Sequence, residues 1–329
     1  HAREILEIHK VCRNGAGTTR RQHVPTNCWR LGQGHTGTSL LSSNTLDPRV
    51  YAFRPTIAAS YLQGVVAADQ FSDGVVCAVT DSVLQLKNDP TDEAELASEM
   101  LFGEKFIVYE SQGAWAWGQS QTDGYVGFVK INGLSDRPSS PTHEVKELKT
   151  FVYQRPDIKS PVIKGLAMGS KVSLKERGEN FISLKEGGWI VEKHVVDFNI
   201  KEASFIAVAR KYIGTPYLWG GRSSNGLDCS ALVQLSLSRV GILAPRDTDQ
   251  QEETVGCFCG KNAKDIEKGD LLYTKGHVAI ASEKDLILHA NAHHMRVVEE
   301  PLQAFLSRLK ETNHQLRSIK RLKFPFTPN

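Results

Sequence analysis

Residues 212–234 read YIGTPYLWGGRSSNGLDCSALVQ, a glycine-rich loop that delivers one cysteine, Cys229, to the start of a helix-patterned segment. From Cys229, the residues Leu232, Val233, Ser236, Leu237 and Val240 recur at i+3, i+4, i+7, i+8 and i+11, the spacing of one buried helical face. Asp228 is a good N-cap, and Gly241 and Pro245 are stop signals. A thiol in the first turn of such a helix meets the positive end of its dipole and unpaired N–H groups, which predicts a stabilised thiolate. A structural cysteine satisfies the same pattern, because an unpaired cysteine packs as a small hydrophobe. The helix alone does not separate the two.

Further along, residues 269–299 have the look of short strands with turns near Lys275–Gly276 and Glu283–Asp285. A three-residue loop at 283–285 pairs Ser282 with Leu286 and sets Ala279 opposite His289. That register puts His277 and His289 on one sheet face as diagonal neighbours. One imidazole then takes the thiol proton while the second orients the first, the logic of a Cys-His-polar triad.

These stretches together resemble the NlpC-type cysteine peptidases, papain-like enzymes that cut bacterial cell-wall peptides. The resemblance covers Tyr217–Gly221, the D-C-S of Asp228–Ser230, Gly269–Leu271, Gly276–Val278 and His289. It implies Cys229 as nucleophile, His277 as general base and His289 as the orienting polar residue. Tyr217 matches the tyrosine whose hydroxyl joins the Cys229 backbone N–H in an oxyanion hole. Ala231 stands where many members have glycine, a change that leaves a helix intact. No metal or cofactor is implied.

Within that family, a D-C-S behind two SH3-type barrels resembles enzymes of muropeptide recycling, which cut between γ-D-glutamate and the next diamino acid and require a free L-alanine amino terminus. On that resemblance Asp228 pairs with the substrate ammonium and Ser230 completes the pocket. Thr248, in the stretch 246–250, stands where a serine hydroxyl helps hold the amine. Tyr125 in GYVGF (124–128) closes the pocket from the barrel side, with Glu99 a second, weaker candidate. A barrel-core role for Tyr125 and a plain polar loop at 246–250 are the alternatives. An anion beside Cys229 opposes its ionisation, so either His277 and the helix end outweigh Asp228 or the arriving ammonium neutralises it. A secreted hydrolase of intact peptidoglycan would use the same triad; a non-catalytic wall-binding protein would have no use for it.

With 329 residues and 40% hydrophobic content, two or three domains with real cores are expected. The formal charge of +3 points to no nucleic-acid partner, and six cysteines without paired CxxC knuckles make no disulfide or zinc scaffold. Cys257 and Cys259, with His293 and His294, are read as structural. No run approaches the length of a transmembrane helix and no signal-peptide core opens the chain, so no membrane insertion and a cytoplasmic location are expected, with the periplasm or secretion as alternatives. Oligomeric state is not readable.

The expected fold class is an α+β papain-like peptidase domain preceded by two small all-β SH3-like barrels. Residues 1–45, carrying Cys12 and Cys28, read as a disordered extension. Residues 46–135 form a lead-in, with a short helix near 58–68, and the first barrel. Strands are expected at 75–79, 105–109, 115–119 and 125–129, and an acidic loop with one helical turn at 89–99. The second barrel covers 136–200 with strands at 150–153, 171–174, 181–184 and 189–191. Gly103 recurs at Gly169 and Gly124 at Gly188, offsets of 66 and 64 that favour a tandem duplication. Trp115 and Trp117 are expected in the barrel core. The catalytic domain spans 201–329, helices first and an antiparallel sheet after, closing with a helix near 302 and an edge strand.

Overall fold

Among the described residues, short strands account for nearly all regular structure before residue 200, and α-helices enter only after it. The computed structural model describes residues 46–322; the expected extension at 1–45, with Cys12 and Cys28, lies outside them. Leu46 and residues 53–73 form a small unit of their own. There Ile57–Ala59 pairs in parallel with Gln70–Ser72, and Ala58, Leu62 and Val66 make the core. The helix expected at 58–68 is only the single 3-10 turn Ser60–Leu62. Gly64 at φ +79 and the β-branched pair Val65–Val66 break it there.

Residues 47–52 and 74 onward make the second unit. Its first sheet is antiparallel, in the order 96–101, 83–87, 126–130, 115–120, 105–112, 75–79 and 134–135. All four expected strands are present, but the acidic loop is shorter than expected. Leu96–Leu101 is a strand in which Glu99 stands opposite Gln85, and its Met100 and Leu101 supply a buried edge for the sheet. Trp115 and Trp117 are buried, as expected.

The second barrel combines a five-stranded sheet, 162–167, 149–153, 189–191, 181–184 and 174–177, with a three-stranded one, 171–172, 143–145 and 195–197. The strands His143–Val145, Val162–Ala167 and Val195–Asp197 are additions to the sequence reading. The four landmark glycines all have positive φ: Gly103 +77, Gly169 +88, Gly124 +78 and Gly188 +83. The first pair even shares its hydrogen bond, Gly103 N–H to Val79 O and Gly169 N–H to Val145 O, each at 2.9 Å. Both barrels therefore turn the same corner with the same residue.

Four helices follow: α1 (Phe205–Lys211), α2 (Cys229–Arg239), α3 (Thr248–Thr254) and α4 (Leu302–Glu311). The antiparallel sheet behind them runs 257–260, 318–321, 271–274, 277–281, 286–291 and 296–301. The final strand, Ser318–Arg321, was expected at an edge and instead lies between Cys257–Gly260 and Leu271–Thr274, since its Ser318 and Ile319 are buried. Leu101 from the first barrel and Ala167 and Met168 from the second share a core with Leu232, Leu235 and Tyr273. Helix α2 is thereby covered by barrels as well as by the sheet. Among the described residues no helix is long and apolar enough to cross a membrane.

Candidate active site

Two glycines shape the loop ahead of Cys229. Gly220 sits at φ +73, where a Cβ would lie 2.3 Å from the carbonyl oxygen of Leu96 in the first barrel; one on Gly221 would lie 2.6 Å from that of Gly226. Only glycine lets backbone approach backbone this closely. Arg222–Ser223 then pairs with Gly226–Leu227 in a short hairpin, and the chain enters α2 at Asp228, whose Oδ1 accepts the Ala231 N–H at 2.9 Å. Cys229 is the first helical residue, as expected. The single buried face is not what forms: every residue from Cys229 to Leu237 is buried. The side that the period marks as polar is used by Gln234, which accepts from Arg222 Nε at 2.6 Å and donates to Asp123 at 3.1 Å.

The sheet has the expected register. Thr274 pairs with His277 across a two-residue turn in which Gly276 has φ +72, Ile280 stands opposite Leu288, and the Ser282 N–H reaches Leu286 O at 3.0 Å. His277 Nε2 and His289 Nδ1 are 2.9 Å apart. Behind them His289 Nε2 meets Glu300 Oε1 at 2.8 Å, and Arg308 from α4 binds both oxygens of Glu300, Nη1 reaching Oε2 at 2.8 Å. Glu300 and Arg308 were absent from the sequence reading. A signal for Glu300 existed: Val298 opposes His289, so Glu300, two residues on, is a diagonal neighbour on the same face. His289, His294 and Glu300 offer ligand atoms within 4.8 Å of one another, a spacing that suits a metal ion. Arg308 already supplies the cation there.

The charge state of the thiol differs from the expectation of a stabilised thiolate. Burial and then the Asp228 carboxylate push Cys229 up to about 12, against the opposing pull of the Val278 and Ser230 N–H groups and Arg246. Burial also pushes His277 well below its ordinary range, with His289 and Arg308 adding to it. Both shifts favour the neutral forms, a thiol and an imidazole. Proton transfer therefore accompanies attack. Tyr217 is half-buried against the same core, with burial and the neighbouring Cys229 and Asp228 holding its hydroxyl protonated and able to donate.

Asp228 and Ser230 flank the nucleophile, but the Asp228 carboxylate is not left open for a ligand. Arg246 Nη1 reaches Oδ1 at 3.0 Å and Nη2 reaches Oδ2 at 2.6 Å, while the Gly220 N–H and the Ser230 hydroxyl donate at 3.0 and 2.9 Å. Asp228, expected to meet the substrate ammonium, is thus held in a buried ion pair with Arg246. Arg246 was in the 246–250 stretch without a role. It also donates from Nε to the Ser98 hydroxyl of the first barrel at 2.9 Å.

Tyr125 lies beside it, its hydroxyl donating to Asp247 Oδ2 at 3.0 Å, and Thr248 opens α3 at the next position. Asp247 occupies an N-cap position yet caps nothing, because Tyr125 and Arg49 Nη1, at 2.8 Å, take its carboxylate. Glu99 is buried, accepts the Arg222 N–H at 2.8 Å, and is pushed up in pKa by burial. Arg222 spans both oxygens of Glu104 at 2.8 and 2.9 Å. First-barrel residues therefore meet both the loop before Cys229 and the loop before α3.

Comparison with known proteins agrees with this geometry. Residues 214–313 match the NlpC/P60 family, and residues 86–134 match the bacterial dipeptidyl-peptidase SH3 domain. Dipeptidyl-peptidase 6 of Lysinibacillus sphaericus is 27% identical over 62% of this chain and 83% of its own length. A gamma-D-glutamyl-L-lysine dipeptidyl-peptidase of Bacillus subtilis is 28% identical over 54% of this chain and 64% of its own length. The crystal structure of an NlpC/P60 family protein from Bacillus cereus superposes with a TM-score of 0.63 at 19% identity, covering 75% of this chain and 99% of that one, a likeness of fold. Residues 214–313, which hold the helix-start cysteine and the paired histidines, are thus an NlpC/P60 domain behind an SH3 domain at 86–134, and the chain is a cysteine peptidase.

Proposed function

We propose that the chain is a γ-D-glutamyl-L-diamino acid endopeptidase acting on cell-wall peptides with a free N-terminal L-alanine. The observation that carries this reading is a carboxylate-rich network that starts at Asp228, next to Cys229, and runs through Arg246 towards the first barrel. Arg246 faces Asp228, Asp247 and Asp123; Arg222 faces Glu104 and, through its N–H, Glu99; Arg49 faces Asp47, Asp247 and Asp249. Seven carboxylates meet three guanidinium groups there, with Lys171 a further cation near Glu104. Such a region favours one more cation, and the α-ammonium of a short peptide supplies it.

Tyr125 and Ser230 offer hydroxyls at Asp247 and Asp228, and Thr248 follows Asp247 in the chain, so the amine end is bound by shared charge and neutral acceptors rather than by Asp228 alone. Cleavage then falls a fixed distance from the amino terminus. Cys229 attacks the γ-carbonyl of D-glutamate as its proton passes to His277, and Tyr217 with the Cys229 N–H receives the oxyanion. His277 returns the proton to the leaving amine, and water releases the acyl group from sulfur.

The test is mass spectrometry of products from L-Ala-γ-D-Glu-diaminopimelate and its N-acetylated form, with Cys229→Ala as control. Cleavage of the free-amine peptide alone supports the reading. Equal cleavage of both removes the amine requirement and indicates a hydrolase of intact wall.

A further inference from the structure

The structure assigns Glu300, clamped by Arg308, as the positioning residue that selects the productive tautomers of His289 and His277. The inference rests on Cys229 and His277 being the reacting pair. Two neutral imidazoles joined Nε2 to Nδ1 can share one proton in two ways. If His277 Nε2–H donates, its Nδ1 is bare and can accept the thiol proton. If His289 Nδ1–H donates instead, His277 carries its proton on Nδ1 and is no base toward Cys229. Nothing within the histidine pair favours the first arrangement.

Glu300 supplies that preference. A carboxylate only accepts, so the 2.8 Å contact fixes a proton on His289 Nε2 and leaves His289 Nδ1 bare. His277 Nε2 must then be the donor across the 2.9 Å contact. The alternative, a protonated Glu300 donating to His289, is closed by Arg308: burial alone would raise Glu300, but hydrogen bonds from His289 and Arg308 hold it down to about 2. The same helix places Phe305 against both rings, at 6.2 Å from His277 and edge-on at 5.5 Å from His289. Of the other titratable neighbours, His294 has Nδ1 tied to Asn291 Oδ1 at 3.1 Å, and Arg296 lies beyond it.

During attack the sulfur–carbon bond forms while the thiol proton moves to His277 Nδ1. His277 keeps Nε2–H on His289, His289 keeps Nε2–H on Glu300, and no proton travels further. The carboxylate faces an imidazolium two hydrogen bonds away and favours it electrostatically. The proton leaves with the amine as the carbon–nitrogen bond breaks.

Glu300→Gln tests this directly. With Arg308 donating to the amide oxygen, the amide NH2 faces His289 Nε2 and inverts both tautomers. Nitrogen-15 NMR of the histidines should show bare Nδ1 on His277 and His289 in the native protein and bare Nε2 on both in the variant. A serine-protease triad held in the wrong tautomer loses about 10⁴-fold in kcat, and a loss of that order with KM unchanged is expected. Glu300→Ala, which imposes no tautomer, should lose less than Glu300→Gln. Native tautomers in Glu300→Gln, or equal losses in the two variants, would overturn the inference. Should Glu300→Gln fail to fold, Arg308→Gln carries the test. It should keep the native tautomers at pH 7 and lose activity at a higher pH on the acid side; inverted tautomers at pH 7 would refute the role. Retained cleavage by Cys229→Ala would overturn the assignment of the nucleophile, a separate failure, since the spectra report the relay without turnover.

Discussion

Arg246→Met removes the cation from a site that burial leaves with little else to replace it. Arg246 is 1% exposed and contacts both oxygens of Asp228, the hydroxyls of Ser98 and Ser230, and the carbonyl of Gly221. Breaking a buried pair by deleting one partner costs about 3–5 kcal/mol, most of it from the charge left behind. Asp228 keeps the Gly220 and Ala231 N–H groups and the Ser230 hydroxyl, so the lower part of that range, about 3–4 kcal/mol, is expected. The variant also removes a charge that helps the thiol ionise, so activity should fall with stability. Urea unfolding of Arg246→Met, Asp228→Asn and the double variant forms a double-mutant cycle. Because the double variant leaves no orphaned charge at position 228, it should recover much of the loss, with a coupling of roughly 2 kcal/mol or more. A cost below about 1 kcal/mol for Arg246→Met, or costs that simply add, would refute the claim that the pair is tightly coupled.

Other expectations concern the nucleophile and its loop. Tyr217→Phe deletes one oxyanion donor from a half-buried ring and should lower kcat by about 10²–10³-fold with little change in unfolding free energy. Gly220→Ala places a Cβ 2.3 Å from Leu96 O at φ +73, so it should lose on the order of 2 kcal/mol or more in urea and raise KM as the barrel shifts from the loop; native stability would show that the contact is soft. Iodoacetamide should alkylate Cys229 slowly at pH 7 and faster with each step upward in pH, because burial and Asp228 push the thiol up to about 12. A rate already on a plateau near pH 5 would instead indicate a standing thiolate–imidazolium pair.

Much of the site is written locally. Asp228 caps the helix that Cys229 begins, and two short turns set the register that brings His277 to His289; each of these depends on hydrogen bonds closed within about a dozen residues. The corners of the two barrels were legible for a similar reason, since glycine readily takes the positive φ that Gly103, Gly124, Gly169 and Gly188 adopt. Three of the longer missed strands, 83–87, 96–101 and 162–167, have mixed patterns whose pairing depends on partners elsewhere in their sheets.

Charge is where the tertiary structure decided the outcome. Sequence placed an anion beside the nucleophile but could not show that Arg246 neutralises it, or that Ser98 of the first barrel helps to hold that arginine 148 positions away. It marked two histidines but left Glu300 and Arg308 unassigned, because their approach follows from how α4 packs across the last strand. It predicted a thiolate from the helix end, whereas burial by the barrels and sheet keeps the thiol protonated. Local patterns fix which residues can meet; the dielectric around them, and the opposite charge that arrives from a distant part of the chain, exist only once the chain has packed.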